Sequence, residues 1–97
     1  MGEPIELLVR VKGVVSVRLY KELIQLFQKM AYVKSITPHE VFGTMVVLRL
    51  EYQRGLDDLV EAISDWRSDE FAFRVEQVSD REIAVSLVTR GDQRMDW

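Results

Sequence analysis

Apolar residues in this chain recur with two different spacings, and the order in which the spacings alternate is the strongest constraint on its fold. Ile5, Leu7, Val9 and Val11 alternate with Glu6, Leu8, Arg10 and Lys12. A period of two marks a strand with one apolar face. Gly13 ends that run, and Ser16 is placed to cap a helix by accepting a hydrogen bond from a first-turn amide. Leu19, Leu23, Leu26, Phe27 and Met30 then fall on one helical stripe, with Lys21, Glu22, Gln25, Gln28 and Lys29 outside it. Tyr32 to Thr37 predicts a short strand ended by Pro38, with His39-Glu40 and Phe42-Gly43 in or near a turn. Thr44 to Tyr52 is the clearest strand. Val46, Leu48, Leu50 and Tyr52 share one face, and Met45, Val47, Arg49 and Glu51 share the other. Leu56, Leu59, Val60, Ile63 and Trp66 define a second amphipathic helix, with Asp57 and Asp58 in its first turn, where the helix dipole favours negative charge. After a polar break from Arg67 to Glu70, Phe71, Phe73 and Val75 alternate. A turn at Ser79-Asp80-Arg81 follows, and Ile83, Val85 and Leu87 alternate again.

The predicted order is strand, helix, strand, strand, helix, strand, strand. It predicts an α+β, two-layer ferredoxin-like βαββαβ sandwich with an extra C-terminal β-strand, its mixed or antiparallel sheet carrying both helices on one face. The extra strand is expected to join its predecessor by a hairpin and to lie at an edge. The 97 residues fit a single domain over 4–89, with 1–3 and 90–97 as flexible ends.

Composition narrows function mainly by exclusion. Hydrophobic residues make up 47% and charged residues 30%, a balance that supports a packed core. The net charge of -3 argues against nucleic acid as partner, because such binding draws its energy from neutralising phosphates. The absence of cysteine removes disulfides, thiolate metal sites and cysteine nucleophiles together. No apolar run approaches the roughly 20 residues of a membrane helix. Met1-Gly2-Glu3-Pro4 carries neither the basic nor the apolar stretch of an export signal. His39 is the single histidine, and with Glu40 it falls short of the ligands that zinc requires. Asp57 and Asp58 are sequence neighbours, which do not face each other on a helix. Ser16 has no nearby base, and capping accounts for it. No catalytic residue, metal or cofactor is therefore expected.

With both helices on one face, the other sheet face is left open. By parity it carries Glu6, Leu8, Arg10, Met45, Val47, Arg49, Glu51, Ala72, Arg74, Glu76, Ala84, Ser86 and Val88. One reading is a solvated surface laced with weak ion pairs. The sharper one takes Leu8, Met45, Val47 and Val88 as an apolar patch rimmed by Arg10, Arg49 and Arg74, which would dock a protein partner or a second copy. Self-pairing of an edge strand is a further route to association. RNA-recognition modules share the strand order but stack bases on exposed aromatics of the central strands. Here those positions are Leu8, Arg10, Val47, Arg49 and Glu51, while Tyr52, Phe71 and Phe73 point inward.

Two resemblances bear on function. The run VKGVVSVRLYKELIQLFQKMAYVKSITPHEVFGTMVVLRLEYQRGLDDLVEAI is similar to the C-terminal domains of a proteobacterial family of envelope proteins known as a domain of unknown function. It also resembles the small α/β domains of periplasmic flagellar-assembly and outer-membrane-lipoprotein accessory proteins. The matching residues are Gly13, Ser16, Tyr20, Leu23, Leu26, Val33, Gly43, Leu48, Leu50, Leu59 and Ile63, within Val9 to Leu87. This resemblance implies a non-catalytic accessory module of a larger bacterial, periplasmic or envelope-associated protein. The layout also resembles the ACT regulatory domains, which carry a glycine before the first helix where an amino acid docks. That alternative makes Lys12, Gly13 and Ser16 a ligand loop. The acidic residue and proline usual around the ACT glycine are replaced here by Val11-Lys12-Gly13-Val14-Val15-Ser16.

Overall fold

The structure, a computed structural model, describes residues 4–66 and 71–89. The expected flexible ends, 1–3 and 90–97, and the polar break at 67–70 lie outside the described residues. The elements are β1 (Ile5–Lys12), α1 (Val17–Lys29), β2 (Val33–Phe42), β3 (Met45–Tyr52), α2 (Leu56–Asp65), β4 (Phe71–Ser79) and β5 (Glu82–Thr89). Their types and succession follow the hydrophobic spacing. The strands form one five-stranded mixed sheet in the order β2-β3-β1-β5-β4. All pairs are antiparallel except β1 with β5.

The core follows from parity. Leu7, Val9 and Val11 of β1, Val46, Leu48, Leu50 and Tyr52 of β3, Phe71 and Phe73 of β4, and Ile83, Val85 and Leu87 of β5 all face one way. Against them pack Leu19, Leu23 and Phe27 of α1 and Leu59 and Ile63 of α2, so both helices lie on one face of the sheet. α1 leans toward β2 and α2 toward β4. Between the helices, Phe27, Phe73, Phe71 and Trp66 form a ring cluster with centroids 5.0–6.2 Å apart, a spacing at which aromatic pairs attract. Ser16 caps α1 as expected, its hydroxyl accepting from the Leu19 amide at 3.1 Å. No helix among the described residues is long and apolar enough to cross a membrane.

Two expectations need correction. The last strand does not lie at an edge: β5 sits between β1 and β4, parallel to β1, and β4 is the edge strand. A simple ferredoxin-like unit would seat β4 beside β1. Here the β4–β5 hairpin puts its more regular strand inside. β5 pairs on both sides, and the ladder to β1 is extended by the Leu8 amide donating to the Arg81 carbonyl at 2.8 Å. β4 shifts register between Val75 and Gln77, an irregularity that an edge tolerates because no strand lies beyond it.

The second correction concerns Pro38. It does not end β2, which runs on to Phe42 with Pro38 opposite Leu48 and with His39 and Glu40 inside the strand. A proline lacks the amide needed for a ladder on both sides, but β2 is an edge strand and needs one side only. The tight turn is Gly43-Thr44, with Phe42 paired to Met45 and φ of 58° at Gly43, the positive value that the first position of a type II′ hairpin loop demands.

Gly13 joins β1 to α1 with φ of 87°, and a Cβ there would lie 2.9 Å from the Leu87 carbonyl oxygen. Gly13→Ala combines a disfavoured backbone angle with a backbone clash. It is expected to destabilise the domain by roughly 1–3 kcal/mol, read as a lower urea midpoint; an unchanged midpoint refutes this account of the turn. Ser16→Ala should cost about 1 kcal/mol through the lost cap.

Candidate functional site

The open sheet face is a ladder of charge pairs. Arg10 pairs with Glu82. Lys12 Nζ lies 3.3 Å from Glu76, and Arg49 Nε lies 3.5 Å from Glu6. Ser35 donates to Glu51 at 2.8 Å, Ser86 donates to Glu76 at 2.7 Å, and Arg49 Nη2 is 3.1 Å from His39 Nδ1. The register explains the pattern. Val47 stands between Arg10 and Glu40, and Leu8 between Arg49 and Glu82, so long side chains of opposite sign flank small apolar ones.

Of the residues read as a docking patch, Val47 is buried at 4% exposure, and Leu8 and Met45 are half-buried. Arg10 and Arg49 are committed to carboxylates within the face. Arg74 is exposed, and Val88 is exposed on the inner strand β5. A recess of about 360 Å³ opens among Arg10, Lys12, Met45, Glu76 and Glu82, but its charges are matched in pairs. Exposed pairs of this kind contribute little each.

The apolar surface lies elsewhere, at the end of the domain where β1 meets α1. The Val14 amide donates to the Thr44 carbonyl at 2.9 Å, which ties the Gly13 loop to the β2–β3 turn. Between the two loops opens a recess of about 330 Å³ lined by Val14, Val15, Val17, Tyr20, Val41 and Val46, with Ser16 and Gly43 completing it. No lining side chain is charged. Val15, Val17 and Val41 are 68%, 69% and 59% exposed, and Phe42, on the other side of the hairpin tip, is 54% exposed. Of the ligand-loop residues, Ser16 borders the recess but spends its hydroxyl on the cap, Gly13 is consumed by the turn, and Lys12 points to Glu76 on the opposite face.

Sequence reasoning passed over Val15, Val17, Val41 and Phe42. A signal was present: Val17 begins the helix off its apolar stripe, and Val15 precedes the helix with no strand parity to bury it. Val41 and Phe42 were hidden by taking Pro38 as the strand's end. Against family models, curated proteins and solved structures the chain finds no match, so the site stands on its own geometry.

The charge ladder makes a checkable pH statement. The Ser86 hydroxyl, then Lys12, holds the Glu76 carboxyl below its ordinary value. A depressed folded pKa gives stability that is present above the unfolded value and lost as pH falls through the folded one. Ser86→Ala should raise the Glu76 pKa toward the ordinary carboxylate value in a side-chain carboxyl NMR titration; an unmoved pKa contradicts the assignment.

Proposed function

We propose that this domain is a non-catalytic protein-interaction module of a larger, envelope-associated bacterial protein, and that its contact surface is the apolar end rather than the charged sheet face. The envelope setting is what the resemblance implies. The observation that carries the contact surface is the grouping of Val15, Val17 and Val41, all more than half exposed, around an uncharged recess held between two tied loops. Exposed aliphatic side chains lose free energy to water, and burial recovers roughly 25 cal/mol per Å² of apolar area. Interface cores are depleted of charge and accept apolar anchors in concave sites. The occupant is an apolar side chain of a protein partner, seated between Val17 and Val41.

The alternative, an ACT-like sensor, shares this location, because the recess adjoins Ser16. An amino-acid ligand brings two charges, and the recess offers apolar walls to meet them. That mismatch favours the protein partner.

Selecting a displayed peptide library on the labelled domain should enrich apolar anchors, and a selected peptide should shift the amides of Val15, Val17, Val41 and Gly43. Val17→Asp with Val41→Asp is expected to weaken that peptide by about tenfold or more, while each exposed substitution moves stability by about 0.5 kcal/mol or less. Shifts centred on Arg10, Arg49 and Arg74 would transfer the contact to the sheet face. Saturable shifts at Lys12, Gly13 and Ser16 with pooled free amino acids would favour the sensor.

A further inference from the structure

The strand ladder leads the chain out of β5 at the same end of the domain as the apolar recess. β5 runs parallel to β1 with Ser86 opposite Lys12, so Leu87, Val88 and Thr89 project past the end of β1. The close approach at Gly13 marks the overlap, since a Cβ there would meet the Leu87 carbonyl oxygen at 2.9 Å. The loop from Gly13 to Ser16 therefore has β5 against one side and the recess against the other. Eight residues follow Thr89, with the sequence Arg-Gly-Asp-Gln-Arg-Met-Asp-Trp from 90 to 97.

Two properties of this segment match the recess. The first is reach. Val41, on the far wall, belongs to β2, three strand positions from β5 in the order β2-β3-β1-β5-β4, or roughly 14 Å at the usual strand spacing. Six to eight residues of extended chain span up to roughly 20–29 Å, so both Met95 and Trp97 come within range. The second is pattern. Met95 and Trp97 alternate with Arg94 and Asp96. Residues two apart line one side of an extended chain, so one side is apolar and the other carries one charge of each sign. The recess has no charged lining side chain, and its Val15, Val17 and Val41 are all more than half exposed.

We propose that segment 90–97 folds back past the Gly13 loop and seats Met95 and Trp97 in the recess between Val17 and Val41. Burial of these apolar side chains drives the closure. The tether supplies the rest: a short flexible linker holds its ligand at a millimolar effective concentration, which neither a second copy nor a free peptide reaches in dilute solution. The closed form withholds the recess from a partner, whose apparent dissociation constant rises as the inverse of the open fraction. This regulatory consequence rests on the recess being a partner-binding surface; the closure itself does not.

The test uses the full isotope-labelled chain at two concentrations tenfold apart. Nuclear Overhauser contacts should join the Trp97 indole or the Met95 methyl to the methyl groups of Val17 and Val41, and should be equally strong at both concentrations. Met95→Ser with Trp97→Ser should remove those contacts and shift the amides of Val15, Val17, Val41 and Gly43. A peptide selected on this doubly substituted chain should bind it about tenfold more tightly than the unaltered chain, as expected for a recess closed about nine-tenths of the time. Absence of the contacts, unmoved amides, or equal peptide affinity for the two chains overturns the closure. Contacts that disappear on dilution also overturn it, because they then join two copies. Intramolecular contacts with no apolar peptide selected on the substituted chain uphold the closure and count against the interaction reading instead.

Discussion

The fold depends on β1 being paired on both sides. Antiparallel β3 holds one edge of β1 and parallel β5 the other, which fixes Leu7, Val9 and Val11 at the centre of the core with no exposure at all. Everything else is arranged around that placement. The two helices cover the face that these residues present, and Phe27, Leu23, Leu59 and Ile63 reach it from above. A strand buried in this way must satisfy every backbone group within the sheet, since water cannot reach it. The Leu8 amide, which finds the Arg81 carbonyl just before β5 begins, shows how far that requirement extends.

The same requirement relaxes outward. The edge strands β2 and β4 carry the irregularities: a proline and two register shifts in β2, one shift in β4. Such features discourage unplanned edge-to-edge pairing. The open face is managed differently. Its small apolar residues are shielded by neighbouring long charged side chains that pair across strands, so Val47 is buried on a face that no helix covers. A surface that satisfies itself has less to gain from a partner, which is why we propose the apolar end rather than the charged face as the contact surface.

The two ends of the sheet have opposite chemistry. At the end where β1 runs into α1, two loops joined by one backbone hydrogen bond frame an uncharged recess. At the other end, Asp58, Glu61 and Asp65 of α2 line a groove with Tyr32, Tyr52 and Arg54. Neither arrangement improves the stability of the isolated domain. One leaves aliphatic surface in water, and the other gathers like charges. The recess lies beside Val46 and the groove beside Tyr52, so β3 spans both.

Local spacing determined the kind and order of the elements. The period of two in Ile5 to Val11 and Val46 to Tyr52, the helical stripe of Leu19 to Met30 and the cap at Ser16 all depend on neighbours in sequence, so they were legible without coordinates. So was the inward parity of Phe71, Phe73, Ile83, Val85 and Leu87. What the spacing could not express was the lateral order of strands, because β4 and β5 show the same alternation whether inner or outer. Only the packed sheet decided that β5 lies against β1, since only there are both edges of a strand tested for hydrogen bonding. Pro38 misled for the same reason: a proline breaks a central strand, and whether a strand is central is a tertiary fact. The candidate sites were the least legible. The recess joins Val17 to Val41 and the groove joins Tyr32 and Tyr52 to Asp58, and no local period records a meeting between residues that distant in the chain.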